Sequence, residues 1–144
     1  MIHISTNNRK MGNDIPSLSL VPVKDCVNCD SCKSKCYAFL MYKRYPNLKR
    51  AWDRNSNLRR TDAPEFERQF IHKLDMNRPR FFRWFVGGDI PDHLFFNFML
   101  AMATRYPDTK FLCFTKAFDF ISGRIPKNLS IVLSVFPTTV IPLR

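Results

Sequence analysis

The sequence contains no apolar run near the roughly 20 residues that a membrane-spanning helix needs, and its first residues lack the apolar stretch of a signal peptide. We therefore expect a cytoplasmic protein that does not enter a membrane. Neither a Ser/His/Asp constellation nor a phosphate-loop glycine motif is visible. At 144 residues the chain is also too short for an eight-stranded α/β barrel, which typically needs about 250 residues. A single domain over residues 1–144 is the expected organisation.

Acidic residues are scarce: 12 Asp and Glu stand against 23 Lys and Arg, which leaves a formal net charge of +11. Such a charge favours an anionic cofactor, an anionic substrate or a polyanion as the partner. Fourteen Phe residues argue against a disordered chain, because so much aromatic area has to be buried.

Positive charge is dense in residues 43–60, which hold seven basic side chains and a single acidic one, Asp53. Interleaved rings at Tyr42, Tyr45 and Trp52 could stack on bases, so the segment predicts a nucleic-acid interface. A solvated helix face whose aromatic side chains point into the core explains the same pattern, and both interpretations stay open. The basic residues are Lys43, Arg44, Lys49, Arg50, Arg54, Arg59 and Arg60.

Apolar runs and helical periodicity predict the element order β, α, α, β, α, β, α, β. This order implies parallel strands joined by right-handed crossovers, and hence an α/β fold with a small partial barrel or an open, mostly parallel four-stranded sheet. We expect strands at 18–23, 81–86, 110–115 and 129–135. We expect helices at 37–53, which Pro46 divides or ends, at 61–76 and at about 91–103, with a short helical turn at 118–122.

Unusual residues follow each predicted strand. A cysteine-rich loop follows the first, Gly87-Gly88-Asp89 the second, Thr115-Lys116 the third, and Phe136-Pro137-Thr138 the fourth. Because the carboxyl ends of parallel strands meet at one edge of a sheet, we expect the functional site there.

Four of the five cysteines lie within eleven residues. Cytosolic thiols stay reduced, so a cluster of this kind usually binds metal or does redox chemistry. The spacing C-x2-C-x2-C-x3-C matches a bacterial ferredoxin run and favours a 4Fe-4S cluster, with zinc or a redox cysteine group as alternatives. Cys113, in an apolar strand, is interpreted as a small buried hydrophobe, or else as a substitute ligand. The predicted metal ligands are Cys26, Cys29, Cys32 and Cys36.

Three charged residues are candidates for the remainder of the site. Asp89 could bind an amine or order its loop, or it could cap the helix that begins near Pro91. Arg83 lies in a hydrophobic strand, where it predicts a pairing with Asp89 or an anion unless the position is exposed. Lys116 could reach a phosphate, a carboxylate or the cluster, or be a solvated loop residue. His72 and His93 are expected on helix surfaces, and His3 in a flexible N-terminus.

Short motifs follow one another between about residues 5 and 137. They are Asn8, Lys10 and Gly12; Ser17-Leu18-Ser19-Leu20; the cysteines ending in Cys36-Tyr37-Ala38; Arg83 with Gly88-Asp89-Ile90-Pro91-Asp92; and Pro107 followed by Phe114-Thr115-Lys116. In this order they resemble the phage gene product eighty-eight domain family. The resemblance implies a phage or prophage protein, located in the host cytoplasm, with a fold distantly similar to the radical S-adenosylmethionine barrel.

In that barrel a cluster loop follows the first strand, and a Gly-Gly-acid motif after the second holds the amino group of the methionine. Gly87, Gly88 and Asp89 stand at the equivalent place, so the resemblance implies a cofactor-binding role for them. The usual C-x3-C-x2-C motif supplies three ligands, which leaves one iron open. Here four cysteines at another spacing could saturate the cluster, and position 39, where that motif starting at Cys32 would need a cysteine, is Phe39.

Two functions are therefore carried forward. The first is a small iron-sulfur protein with redox or radical-type activity, in which Arg83, Asp89 and Lys116 line the catalytic cup and S-adenosylmethionine or a flavin is a further possible cofactor. The second is a non-catalytic nucleic-acid binding module, in which the same cysteines hold structural zinc and residues 43–60 contact phosphates.

Overall fold

The structure is a computed structural model that describes residues 1–6, 15–137 and 139. Asn8, Lys10, Gly12 and Thr138 therefore lie outside the described residues. The strands are β1 (Ile4–Ser5), β2 (Ser17–Leu18), β3 (Phe81–Trp84), β4 (Lys110–Thr115) and β5 (Leu129–Leu133), and the helices are α1 (Tyr37–Arg44), α2 (Pro46–Thr61), α3 (Ala63–Asn77) and α4 (His93–Arg105). Single 3-10 turns cover Cys29–Ser31, Lys33–Lys35 and Phe118–Phe120.

The five strands form one sheet in the order β1-β2-β3-β4-β5. β2, β3, β4 and β5 run parallel to one another, whereas β1 pairs antiparallel with β2. The sheet is open, since β1 and β5 are its two edges. The α/β class and the mostly parallel strands predicted from the sequence are confirmed, and the sheet is not closed.

The N-terminal strand corrects the expectation of four strands and of a flexible N-terminus. Ile2 is buried in the core, and its N–H donates to the Gln69 side chain at 2.6 Å. The His3 N–H donates to Asn55 Oδ1 at 2.7 Å. A strand of two residues is too short to show an alternating sequence pattern, and the sequence therefore does not predict it. Its contacts with α2, α3 and β2 hold it in place.

Three local signals place the helix boundaries. Pro46 separates α1 from α2, as expected, because it sits at the first turn of α2. The Asp62 side chain accepts from the Glu65 N–H at 3.0 Å and caps α3. Asp92 accepts from the Phe95 N–H at 2.8 Å, so Asp92 and not Asp89 caps α4. α2 continues eight residues beyond the predicted end at Asp53, through Thr61.

The core lies between one face of the sheet and the helices α3 and α4. Trp84 of β3 is fully buried, and its ring contacts those of Phe70 on α3 and Phe95 on α4. Alternation along β4 adds Phe111 and Cys113 to the same face. Cys113 is thus confirmed as a small buried residue of this core. Burial raises the pKa of its thiol.

Candidate functional site

Asp89 lies at the carboxyl edge of the sheet with 1% of its surface exposed. Its Oδ1 accepts hydrogen bonds from the Thr115 hydroxyl and the Ile90 N–H. Its Oδ2 accepts from the Lys116 N–H at 2.9 Å and lies 3.7 Å from Lys116 Nζ. The carboxylate therefore ties the loop after β3 to the end of β4, which explains its burial better than helix capping does.

Asp25 anchors the start of the cysteine-rich loop and is also buried, with 3% of its surface exposed. Its Oδ2 accepts from the Val21 N–H at 3.0 Å and from Arg60 Nη2 at 3.1 Å. Arg59 Nη2 lies 3.7 Å from Asp25 Oδ1. The backbone carbonyl of Asp25 accepts from the Asp89 N–H at 3.1 Å. Asp25 thus connects the loop to α2 and to the loop of Asp89.

The four clustered cysteines are free, partly buried thiols in the loop that follows. The Val23 N–H donates to Cys26 Sγ at 3.3 Å, and burial raises the pKa of Cys26 to about 12. The pKa of Cys29 is raised by burial and by its hydrogen-bonded neighbour Cys32. Cys36 precedes α1 as its N-terminal flanking residue and also interacts with Cys29. The thiols are therefore neighbours, although within the described ranges no three His, Cys, Asp or Glu side chains are grouped to hold a metal ion.

Lys116 carries a positive charge towards these thiols. Burial opposes that charge, but the Asp89 carboxylate and the thiols of Cys32, Cys26 and Cys29 raise the pKa of Lys116 above its ordinary value. The Asn28 side chain, within the cysteine-rich loop, donates to the Lys116 carbonyl at 2.9 Å. The structure thus brings together two predicted site residues, Asp89 and Lys116, beside the predicted ligand loop. By contrast, Lys24, Lys33 and Lys35 are exposed on that loop.

Gly87 and Gly88 are needed for close packing inside the chain. A Cβ atom on Gly87 would overlap the buried ring of Trp52, on α2. Gly88 has a φ of 82°, and a Cβ atom there would lie 2.9 Å from Leu20 Cβ. These contacts account for both glycines without a cofactor, because the space beside each is filled by a neighbouring side chain.

We expect Gly88→Ala to lower the free energy of unfolding by about 2–4 kcal/mol, because the methyl group both strains a left-handed backbone and overlaps Leu20. Gly123 is the matched control: its φ is 76°, but nothing lies within 4 Å of a Cβ atom there. Gly123→Ala should therefore cost only the backbone strain, about 1–2 kcal/mol. Urea unfolding measures both variants, and equal losses would contradict the packing role of Gly88.

Arg83 lies on the opposite face of the sheet from the core. It alternates with the buried residues Phe82 and Trp84 along β3 and is itself half-buried. Its guanidinium lies 5.2 Å from the centre of the Phe114 ring, and burial lowers its pKa. The Asp89 carboxylate accepts hydrogen bonds from Thr115 and Lys116, at the end of β4. These bonds hold it in place, and the predicted pairing with Arg83 is not needed for that.

The Gene product 88 family matches residues 3–140 of the chain. The chain belongs to this family. No curated protein matches, and no solved structure matches. The phage family expected from the sequence is therefore confirmed, whereas the distant similarity to the radical S-adenosylmethionine barrel gains no support and stays a prediction.

In this Gene product 88 protein the motif residues that the structure describes are largely packing and hydrogen-bonding residues. The Ser19 hydroxyl accepts from the Val86 and Gly87 N–H groups at 3.1 and 3.2 Å, which joins β2 to the turn after β3. Asp92 caps α4 and also pairs with Arg59 at 2.6 Å. The conformation of this edge of the sheet is therefore specified by contacts between distant motifs.

The basic segment of α1 and α2 is only partly available to a polyanion. Lys49 pairs with Asp53 at 2.6 Å. Arg59 and Arg60 pair with Asp25, and Trp52 is buried. Trp52 thus follows the second interpretation of the pattern, in which the aromatic side chains point inward, whereas Tyr45 is exposed. Lys43, Arg44 and Arg54 stay exposed.

Asp25, Arg59 and Arg60 form the part of the site that the sequence did not indicate. Asp25 directly precedes Cys26, but nothing in its neighbours indicates burial, and its arginine partners lie more than 30 positions away. His72 and His93 are exposed on α3 and α4, as expected. In the part of the chain that the structure describes, no helix is long and apolar enough to cross a membrane.

Proposed function

We propose that this Gene product 88 family protein binds a 4Fe-4S cluster through Cys26, Cys29, Cys32 and Cys36, and that it performs redox or radical-type chemistry at this edge of the sheet. The observation that carries the proposal is the ammonium group of Lys116, which is held against Asp89 and interacts with three of the four thiols. A cation beside several thiols favours the thiolate charge that cluster binding requires, and so opposes the burial that raises the pKa of Cys26 and Cys29.

The donor set fits an iron-sulfur cluster chemically, because four thiols occur in a single loop at a ferredoxin-type spacing. The described arrangement does not gather three of them around one point. Ligation therefore requires the loop to rearrange. Its two 3-10 turns contain no buried residue, so their movement disrupts little packing.

When bound, such a cluster supplies one-electron transfer. The residues of the chain would then have separate tasks. Lys116 offsets negative charge, Asp89 acts as a positioning residue that holds Lys116, and Asp25 fixes the base of the loop. Arg83, over the Phe114 ring, stays a candidate for binding an anionic group of a substrate.

We do not extend the proposal to S-adenosylmethionine or a flavin. The expectation of S-adenosylmethionine rests on Gly87, Gly88 and Asp89, and that of a flavin on the basic cup. The space beside the glycines is occupied by Trp52 and Leu20, and the carboxylate of Asp89 is engaged by donors of the chain itself.

The alternative function is a zinc-stabilised nucleic-acid binding module that uses the same cysteines. Four thiolates also satisfy tetrahedral zinc. The exposed residues Lys43, Arg44 and Arg54 favour this alternative, although the pairing of Arg59 and Arg60 with Asp25 weakens the segment 43–60 as a continuous phosphate-binding surface.

Anaerobic purification followed by visible absorption and metal analysis tests the proposal. We expect a brown protein with about four irons per chain, and loss of iron in Cys32→Ala. Cys113→Ala is the matched control, because Cys113 is buried in the core and should leave the iron content unchanged. A colourless protein with about one zinc supports the alternative. A protein with neither metal would overturn both.

A further inference from the structure

One face of the sheet is left open by the helices. Along β3, β4 and β5, every second residue points away from the core. We call these residues the open sheet face, and they lie beside one another on neighbouring strands. Phe81, Phe114 and Val132 on this face are 39%, 41% and 42% exposed. The open sheet face consists of Phe81, Arg83, Lys110, Leu112, Phe114, Ser130 and Val132.

The open sheet face carries positive charge and, in the strand segments that the structure describes, no acidic side chain. Arg83 and Lys110 lie on it, and Arg80 directly precedes β3. Arg80 Cζ lies 5.3 Å and Lys110 Nζ lies 6.0 Å from the centre of the Phe81 ring. Each exposed ring is thus accompanied by at least one cation, which matches the alternating bases and phosphates of a nucleic-acid strand.

The spacing of the rings suits a short length of single strand. The register places Phe81 beside Lys110, and Phe114 follows four residues later on the adjacent strand. The two Cα atoms are therefore about 14 Å apart, given about 3.3 Å per residue along a strand and about 4.8 Å between strands. Sheets with exposed aromatic rings on neighbouring strands stack two or three bases of a single strand.

We propose that the open sheet face binds single-stranded nucleic acid, with bases stacked on Phe81 and Phe114 and phosphates contacted by Arg80 and Lys110. Charge complementarity favours this occupant, because cations lie beside each exposed ring and the described strand segments add no acidic side chain to the face. The surface contains none of residues 43–60 and none of the four clustered cysteines, so the proposal does not depend on the bound metal.

Fluorescence anisotropy with labelled oligo-dT and oligo-U strands, and with a short duplex, tests the proposal on the full chain. We expect the single strands to bind more tightly than the duplex, and the affinity to fall between about 50 mM and about 200 mM salt. The double variant Phe81→Ala/Phe114→Ala should lose about tenfold or more in affinity, and Phe81→Trp/Phe114→Trp should retain binding, because stacking needs only an aromatic face. The comparison of oligo-dT with oligo-U shows which nucleic acid is preferred.

Two controls separate this surface from others. Leu94→Ala removes an apolar side chain that is 80% exposed on α4, and binding should not change. Arg54→Ala removes an exposed cation of α2, and its effect should be smaller than that of Lys110→Ala. Circular dichroism confirms folding, and the metal content of each variant shows that any loss is independent of the cysteines.

Three outcomes would overturn the inference. One is equal affinity of the double alanine variant and the unmodified protein. Another is a larger loss from Arg54→Ala than from Lys110→Ala, which would place the interface on α2. The third is concentration-dependent dimerisation that the Phe81→Ala/Phe114→Ala variant abolishes, because a second copy of the chain would then occupy the open sheet face.

Discussion

Asp89→Ala should lower the free energy of unfolding by about 3–5 kcal/mol, the cost usually seen when one partner of a buried ion pair is removed. The variant leaves the Thr115 hydroxyl and the N–H groups of Ile90 and Lys116 without their acceptor. It also leaves the largely buried Lys116 ammonium without its carboxylate. Urea unfolding followed by circular dichroism measures the loss.

Two further variants sharpen this prediction. Asp119→Ala removes an exposed carboxylate shortly after β4, and we expect a change within about 0.5 kcal/mol. Asp89→Asn keeps the shape of the side chain but points an amide N–H at one or more of the N–H and O–H donors that surround Asp89. Its loss of unfolding free energy should therefore lie between those of Asp89→Ala and Asp119→Ala. Similar stability of Asp89→Ala and Asp119→Ala would show that the buried carboxylate does not hold the carboxyl edge of the sheet together.

Asp25→Ala should lower the free energy of unfolding by about 2–4 kcal/mol, because it removes the carboxylate that Arg59 and Arg60 share. It also removes one of the two acceptors of the Val21 N–H, which keeps the Ser56 hydroxyl. The expected loss is smaller than for Asp89, since Arg59 keeps Asp92 and Arg60 is partly exposed. We also expect Cys26 to react faster with a thiol reagent, because Asp25 fixes the turn against which its thiol is buried.

Asp30→Ala is the matched control in the same loop. The Asp30 side chain is 96% exposed and pairs only with the exposed Lys33 among its described contacts. Such a surface pair contributes about 0–1 kcal/mol. If Asp25→Ala and Asp30→Ala destabilise the protein equally and leave the reactivity of Cys26 unchanged, Asp25 is not the anchor of the loop.

Features encoded by neighbouring residues were predictable from the sequence. Pro46 has a restricted backbone and no N–H, so it separates two helices wherever the chain folds. Asp62 followed by Pro64 marks the start of α3 for a similar local reason. The buried strand at Phe81–Trp84 was evident from its aromatic and β-branched run, although the positive φ of Phe85 ends it two residues before the predicted boundary.

Features that need partners far along the chain were not predictable. The sequence contains Asp89 and Asp92 three residues apart, and nothing local shows which one caps α4 and which one binds β4. From the sequence, the arginines of α2 are predicted to bind phosphates, whereas the structure shows that they pair with Asp25. From the sequence, Gly87 is predicted to belong to a cofactor motif, whereas in the structure Trp52 fills the space beside it.

The sequence by itself determined that the chain is an α/β protein with parallel strands, that its chemistry-bearing loops meet at one edge of the sheet, and that it carries the motifs of the Gene product 88 family. Only the tertiary structure decided which charges are buried in pairs and which face of the sheet is open. The physical reason is how far along the chain each effect acts. Backbone preference and hydrophobic period act between neighbours, whereas the burial of a charge or a ring depends on residues that folding brings together from distant positions, 27 and 35 apart for the partners of Asp89 and Asp25.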